Sequence, residues 1–342
     1  MNTGLVYDPL YLEHDTGAHV ENSQRLVETV KVLQDSGLMN RLALISPRPA
    51  SIEELCLVHT EYHTGHVQRA ASKGGEWLDG DTYCSPESFT VALHAAGGVL
   101  RGVDAIMNKE VANAFALVRP PGHHATPDQA MGFCLFNNIA VAAKYARAGF
   151  GLTRILIADF DVHHGNGTEE VFYEDPSVFY FSTHQYPHYP GTGAITDQGS
   201  GEGRGTTLNI PLPAGCGDAE YLRAYREILV PLAQRFKPEL ILVSAGYDLH
   251  WADPLSGMQL TVDGLAEIVG IIKGLADELC GGRLLLTLEG GYHLKALAYS
   301  IKATLEVLLG GPRSADPLGK PQVTYMPAKI DHIFERLSRD LA

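Results

Sequence analysis

The chain has 342 residues, a formal net charge of -14, 45% hydrophobic and 19% charged residues, a globular composition long enough for one large α/β domain or two ordinary ones. The acidic balance argues against the nucleic-acid backbone as a partner and would, if gathered near a cleft, attract cationic substrates. Five dispersed cysteines, Cys56, Cys84, Cys134, Cys216 and Cys280, with no C-x-x-C pair, indicate neither a disulfide framework nor a cysteine zinc site and fit a reducing compartment.

Met1-Asn2-Thr3-Gly4-Leu5 is no signal sequence, and no apolar run reads as long enough to cross a bilayer, so a cytoplasmic protein without membrane partners is expected. Leu5-Val6-Tyr7 is a short strand. Glu21 to Gln34 has helical spacing, with Leu26, Val30 and Leu33 on one face, and the polar stretch from Tyr11 to Arg25 reads as a loop packed against something polar. Ser51, with Glu54 three residues on, starts a helix; Glu61 to Ala71 continues in helical character, and Lys73 to Pro86 reads as surface loop. Glu87 to Met107 is a long apolar helix whose Ala95-Ala96-Gly97-Gly98 would admit another backbone closely.

Ala114 to Val118 is a buried strand stopped by Arg119-Pro120-Pro121-Gly122, with His123 and His124 next. Asn137 to Arg147 is helical and leads to the strand Ile155 to Ala158. Val178 to Phe181 is β-rich, Pro187 to Gly205 a loop, Thr206 to Ile210 a strand and Asp218 to Phe236 a helix. Leu240 to Val243 and Leu284 to Leu288 are two more buried strands, with helices at Val262 to Leu279 and Leu294 to Leu309. No repeat or linker interrupts the alternation, which predicts a single α/β domain over residues 1–342, with a central, mainly parallel β-sheet flanked by helices.

After Ile155-Leu156-Ile157-Ala158 comes Asp159-Phe160-Asp161-Val162-His163-His164-Gly165-Asn166-Gly167. Residues two apart in extended chain point to one side, so Asp161 and His163 can offer an oxygen and a nitrogen to one cation, with Asp159 facing the same way. A polar loop capping the next helix is the equal alternative on these residues alone. Gly165 and Gly167 read as allowing tight turning, and without a lysine or a G-x-G-x-x-G array a nucleotide site is discounted. Four apolar strands end in polar motifs, and open parallel sheets bind ligands beyond the carboxyl ends of their strands, so the motifs are expected to share a cleft. They bring His123 and His124; Asp159, Asp161 and His163; Asp248; and Tyr292 behind Gly290-Gly291. Glu289 reads as a loop anchor, and most of the 15 histidines, including His59, His63, His66 and His94, as structural, with His250 near the site and unassigned.

The chain resembles the histone deacetylase and acetylpolyamine amidohydrolase family, of the arginase-deacetylase fold, in its class II-like and bacterial members. The resemblance runs from His14, Gly17, His19, Glu21 and Arg25 through Arg119-Pro120-Pro121-Gly122-His123-His124, Gly132-Phe133-Cys134, Asn137-Asn138 and Asp159 to Thr168, to Gly290-Gly291-Tyr292. It implies that Asp161, His163 and Asp248 hold one catalytic Zn²⁺, that His124 is general base and then acid, that His123 acts electrostatically and is oriented by Asp159, that Asn166 fixes the outer nitrogen of His124, and that Tyr292 donates to the oxyanion. Asn166 stands where some relatives carry Asp, so a smaller rise in the His124 pKa is expected. Tyr292, where some relatives carry His, supports activity. An oxygen-rich Asp-His-Asp set could also hold Fe²⁺, Co²⁺ or Mn²⁺. A structural K⁺ would sit at Asp159 and Ser182 with backbone oxygens of Asp161, His163 and Thr183.

The resemblance also implies a tunnel walled by Gly132, Phe133 and Tyr189, with Asp81 at a rim position that can hold a peptide amide; a turn Asp is the alternative for Asp81. Leu255 is at a gate position where polyamine deacetylases tend to carry an acidic residue, which favours acyl-lysine or a neutral substrate over acetylpolyamine. The partner expected is a small-molecule or peptide N-acyl amine, and no pattern in the sequence sets an oligomeric state. A two-manganese arginase-like ureohydrolase is disfavoured by Gly165 and His250, where further carboxylates would be needed. A non-catalytic acyl-lysine binder is disfavoured by Tyr292 and the His123-His124 pair.

Overall fold

The apolar runs pair side by side into one sheet in which every ladder is parallel. The computed structural model describes residues 2–321 and 330–341. In chain order the strands are β1 (Thr3–Val6), β2 (Ala43–Ile45), β3 (Glu76–Trp77), β4 (Tyr83–Cys84), β5 (Asn113–Ala116), β6 (Ile155–Asp159), β7 (Val178–Gln185), β8 (Thr207–Leu212), β9 (Leu240–Ala245) and β10 (Leu284–Leu288). Eight of them form the sheet in the order β2-β1-β5-β10-β9-β6-β7-β8. β5, β6, β9 and β10 are buried along their whole length, which is why their sequences read as near-continuous apolar runs. Helices Gln24–Asp35, Leu294–Leu308 and Val262–Cys280 pack in one group, and helices Ser88–Met107 and Asn138–Phe150 in another. Both groups contact β5 and β9, and so cover opposite faces of a single α/β domain.

Register sets the site. Asp159 of β6 pairs with Ser244 of β9, Ser244 with Thr287 of β10, and Thr287 with Ala116 of β5. The four strands therefore end level, and the loops that follow them emerge on one edge.

Some elements differ from the sequence reading. β2 was not anticipated, being three residues long with one exposed side chain. The expected loop from Lys73 to Pro86 contains the antiparallel β3-β4 hairpin. The helix expected over Asp218 to Phe236 is divided into Asp218–Arg223, a π turn at Ala224–Leu229, and Val230–Phe236. Pro231 explains this, since it lacks an N–H and its ring crowds the preceding turn. The expectation that no apolar run reaches spanning length needs correction: Ser88–Met107, 20 residues, is long and apolar enough, but 67% of its apolar window is buried inside the fold. It is a core helix.

That helix meets the chain where its small residues fall. A Cβ on Gly97 would stand 2.0 Å from the Arg48 carbonyl oxygen and 2.4 Å from the Ala50 nitrogen, a backbone contact that no side chain can yield to. Gly97→Ala is therefore expected to destabilise the protein by about 1–3 kcal/mol, read as a lower urea midpoint. Gly149→Ala, at an exposed helical position with nothing within 4 Å of its Cβ, should be neutral or stabilising by about 0.4–1 kcal/mol.

Candidate active site

The loop after β6 folds back on its own carboxylates. Asp159 Oδ1 accepts the Asp161 N–H at 3.0 Å, and Asp161 Oδ1 accepts the His163 N–H at 2.9 Å. Asp161 Oδ2 accepts the Gly290 N–H at 2.7 Å, tying the β6 loop to the β10 loop. Asp248, beyond β9, accepts the Val162 N–H on Oδ1 at 3.0 Å. Ligand atoms of Asp161, His163 and Asp248 all lie within 4.8 Å of one another, and all three residues are buried. A Cβ on Gly246 would lie 2.1 Å from Asp161 Oδ2, and one on Gly290 2.0 Å from Asp248 Oδ2. Glycine at these positions keeps the cluster open to its carboxylates.

Two buried carboxylates this close need positive charge. Burial and then Asp161 push the Asp248 carboxyl above its usual range. Burial opposes ionisation of Asp161 as well, yet His123 and His163 hold it below the usual range. Against burial, the hydrogen bond to Asp161 and the adjacent Asp248 carboxylate hold the His163 pKa above the ordinary imidazole range. Its Nδ1 is 3.0 Å from Asp161 Oδ1 and 3.3 Å from Asp248 Oδ2, but the buried Asp248 Oδ2 makes no hydrogen bond. An orphaned carboxylate oxygen beside a second carboxylate and an imidazole is a donor set that fits one divalent cation such as Zn²⁺.

The two histidines after β5 lie with ring centroids 4.0 Å apart and have opposite protonation. Burial disfavours charge on His123, but Asp161 and Asp159 raise its pKa to about 10, and its Nδ1 is 3.1 Å from Asp159 Oδ2. His124 is held well below the ordinary value, first by burial and then by His123 and His163. The small rise expected from the sequence is thus reversed in sign, because burial first, and then the neighbouring His123 and His163, disfavour a proton on this ring. Its Nδ1 lies 2.8 Å from Asn166 Oδ1, while Asn166 Nδ2 faces the His124 carbonyl and the Met131 sulfur. Nδ1 therefore carries the hydrogen and Nε2 the lone pair. Glu289 anchors this loop as expected: Oε2 accepts the Gly122 and His123 N–H groups at 2.7 and 3.2 Å, Oε1 accepts from Ser244 Oγ at 3.1 Å, and burial lifts its carboxyl to about 7.

His123, His124 and His163 face a cavity of about 240 Å³ also lined by Asp81, Gly132, Phe133, Tyr189, Leu255 and Tyr292, all six named from the sequence. Gly132 has φ +57°, and a Cβ there would be 2.4 Å from the His124 ring. Phe133 follows at φ 69°, a costly conformation for an aromatic residue, secured in part by its N–H bond to Thr82 Oγ1 at 3.0 Å. Its ring meets Tyr292 edge-on at 5.8 Å, and Tyr189 meets His124 edge-on at 5.1 Å. The Tyr292 phenol is held well above its ordinary pKa by burial, against the opposing charge of Arg25, so it remains an O–H donor. Register places Asp159 beside Ser182, with Thr183 next; Ser182 Oγ is 2.9 Å from His184 Nδ1, and Thr183 Oγ1 3.3 Å from the Tyr225 hydroxyl.

The sequence reading did not find every residue here. His188 stacks on His163 at 5.0 Å and donates from Nε2 to the Leu255 carbonyl at 3.0 Å; a lone histidine in a loop carried no signal. Arg25 lies 5.0 Å from the Tyr292 ring centroid and donates to the Gly291 and Glu289 carbonyls at 2.7 and 2.5 Å. It had been noticed only as part of a pattern. His59, by contrast, is structural as expected, bridging the Thr126 carbonyl and the Asn137 N–H.

Residues 19–308 match the histone deacetylase domain. Similar proteins include "Histone deacetylase 10, chloroplastic" of Oryza sativa subsp. japonica, 44% identical over 329 residues, 91% of this chain and 74% of that protein. A "Probable deacetylase" of Archaeoglobus fulgidus is 42% identical over 96% of this chain and 91% of its own. "Polyamine deacetylase HDAC10" of Homo sapiens is 41% identical over 96% of this chain and 51% of its own length. Among solved structures, the HDA15 HD domain has a TM-score of 0.86 at 39% identity, over 90% of this chain and 91% of that one.

Because His163 and Asp248 are both held toward their protonated forms, a cation entering the cluster must displace protons. Zn²⁺ titrated into chelator-treated protein should release protons, with an apparent affinity that rises with pH by about tenfold per unit for each proton displaced. Calorimetry in buffers of different ionisation enthalpy measures both, and Asp161→Asn or Asp248→Asn should abolish the stoichiometric site.

Proposed function

This chain belongs to the histone deacetylase family, and from that membership we propose that it is a zinc-dependent amidohydrolase removing acetyl or other short acyl groups from amines, with acyl-lysine as its main substrate class. The observation that carries the reading is convergence: His163 of the Asp161-His163-Asp248 cluster, His124 with its Nε2 lone pair, and Tyr292 line one cavity.

Asp161, His163 and Asp248 would hold the metal, which when bound supplies Lewis acidity for a carbonyl oxygen and an acidified water. The chain's own groups do the rest. His124, neutral because of its surroundings, takes the water's proton on Nε2 and passes it to the departing amine. Asn166 keeps that nitrogen unprotonated at rest by occupying Nδ1. His123, charged and held by Asp159, adds positive potential beside the developing negative charge. Tyr292 donates its O–H to the tetrahedral oxygen. Phe133 and Tyr189 flank the acyl-bearing stem, and Asp81 at the rim accepts a backbone N–H of a peptide substrate. A K⁺ ion held by Asp159, Ser182 and backbone oxygens of Asp161, His163 and Thr183, a hard oxygen set, belongs to the same proposal.

A second reading, an acetylpolyamine amidohydrolase, is favoured by the printed name of one relative, and Leu255 in the cavity wall speaks against it, since an apolar side chain offers nothing to a second ammonium. The group Asp161, His163 and Asp248 is the one such cluster among the described residues, which supports a single ion over a two-metal ureohydrolase site. Turnover separates the enzyme from a mere binder.

Tyr292→Phe should lower kcat on an acetyl-lysine peptide by about 10²–10³-fold, the loss of one oxyanion donor. Asp161→Ala should remove both metal and activity; full retention of both would overturn the mechanism. In parallel kinetics, kcat/KM should be higher for the acetyl-lysine peptide than for acetylputrescine. A preference for acetylputrescine by orders of magnitude would overturn the reading of Leu255.

A further inference from the structure

Asp253 carries one of the site's buried carboxylates, only 6% exposed, yet it belongs neither to the metal cluster nor to the histidine pair. It follows the Asp248 loop, and its three side-chain hydrogen bonds are to backbone N–H groups. Oδ2 accepts from Tyr292 at 2.7 Å and His293 at 3.0 Å; Oδ1 accepts from Leu255 at 3.0 Å. Helix capping does not account for this arrangement. The helix Leu294–Leu308 is already capped by His293, whose Nδ1 accepts the Ala296 N–H at 3.1 Å.

The segment that Asp253 grips contains a glycine pair. Gly290-Gly291 precedes Tyr292, and Gly291 has φ +116°, a region open to glycine with wide latitude. Arg25 holds this segment by its carbonyls, at Glu289 and Gly291. Asp253 holds it from the other side by its N–H groups. The same carboxylate fixes the cavity wall at Leu255, whose carbonyl is in turn held by His188.

We propose that Asp253 is a positioning residue that sets the Tyr292 hydroxyl and the Leu255 wall at a fixed distance from each other, so that transition-state donation and tunnel shape depend on a single buried carboxylate. This rests on the reading of Tyr292 as oxyanion donor. A carboxylate is required because both of its oxygens accept; an amide has one acceptor and one donor, and must turn its NH₂ toward either the Tyr292 and His293 N–H groups or that of Leu255.

The test is Asp253→Asn in the metal-loaded protein, assayed on an acetyl-lysine peptide, alone and combined with Tyr292→Phe. Displacing the hydroxyl should lower kcat by about 10–100-fold while KM changes by less than about threefold, as loss of orientation without loss of ground-state binding predicts. In the double variant kcat should fall no further than in Tyr292→Phe alone, since the hydroxyl being positioned is gone. Amide hydrogen exchange at Leu255, Tyr292 and His293 should accelerate in Asp253→Asn, with the rest of the helix Leu294–Leu308 unchanged. Wild-type kcat in Asp253→Asn, or losses that multiply in the double variant, would overturn the proposal. If Tyr292→Phe kept wild-type kcat, the oxyanion reading would fall, and the exchange data would still decide whether Asp253 clamps the segment. Should Asp253→Asn melt below assay temperature, exchange in the wild type decides: the three amides are expected to be protected together, and rapid exchange of any of them refutes the clamp.

Discussion

Glu21 lies fully buried between two arginines, and the geometry of the site depends on that ion group. Its Oε1 accepts from Arg25 Nη1 at 2.9 Å and from Arg119 Nε at 2.5 Å, and its Oε2 from Arg119 Nη2 at 2.8 Å. Burial opposes its charge, but Arg119 and Arg25 hold the carboxyl well below its usual range. Each arginine then spends its remaining donors on backbone. Arg119, just ahead of the histidine pair, reaches the Tyr11 and His14 carbonyls; Arg25 reaches those of Glu289 and Gly291. The first loop of the chain is thereby bonded to the last strand end. Removing one member would leave buried charge unpaired, which costs far more than a surface pair, and would release both the histidine loop and the Tyr292 segment.

Above that base, the site orders charge by proximity. Asp159, Asp161, Asp248 and Glu289 stand at the ends of the three central strands β6, β9 and β10, and the imidazoles sort themselves among them. His123, between Asp159 and Asp161, is held toward its charged form; His124, one residue on, is held toward its neutral form by burial first and then by His123 and His163. Adjacent residues of one type thus acquire opposite charge preferences from their surroundings. The orphaned oxygen of Asp248 marks where compensation by protein groups stops and a cation becomes the natural completion.

Space matters as much as charge. Gly165 and Gly167 had read as turn formers, but neither has a positive φ. Their constraint is contact: a Cβ on Gly165 would lie 2.3 Å from Asp159 Oδ2, and one on Gly167 2.2 Å from the Ala125 carbonyl oxygen. The loop after β6 and the histidine loop are pressed together at these glycines, which brings Asn166 within reach of His124.

The sequence by itself determined the four buried strands β5, β6, β9 and β10, their polar ends and thus the cleft, because buried parallel strands must be apolar throughout and their ligands must follow them. Spacing alone paired Asp161 with His163, and family resemblance added Asp248 to them and implied roles for His123, His124, Asn166 and Tyr292. The six named lining residues also met at one cavity. Tertiary structure alone decided the protonation of His124, the burial of the spanning-length helix, the stacking of His188, and the grips of Arg25 and Asp253 on the Tyr292 segment. The reason is physical. A pKa sums over neighbours distant in sequence, and a side chain bonded to backbone leaves no pattern in the residues it holds.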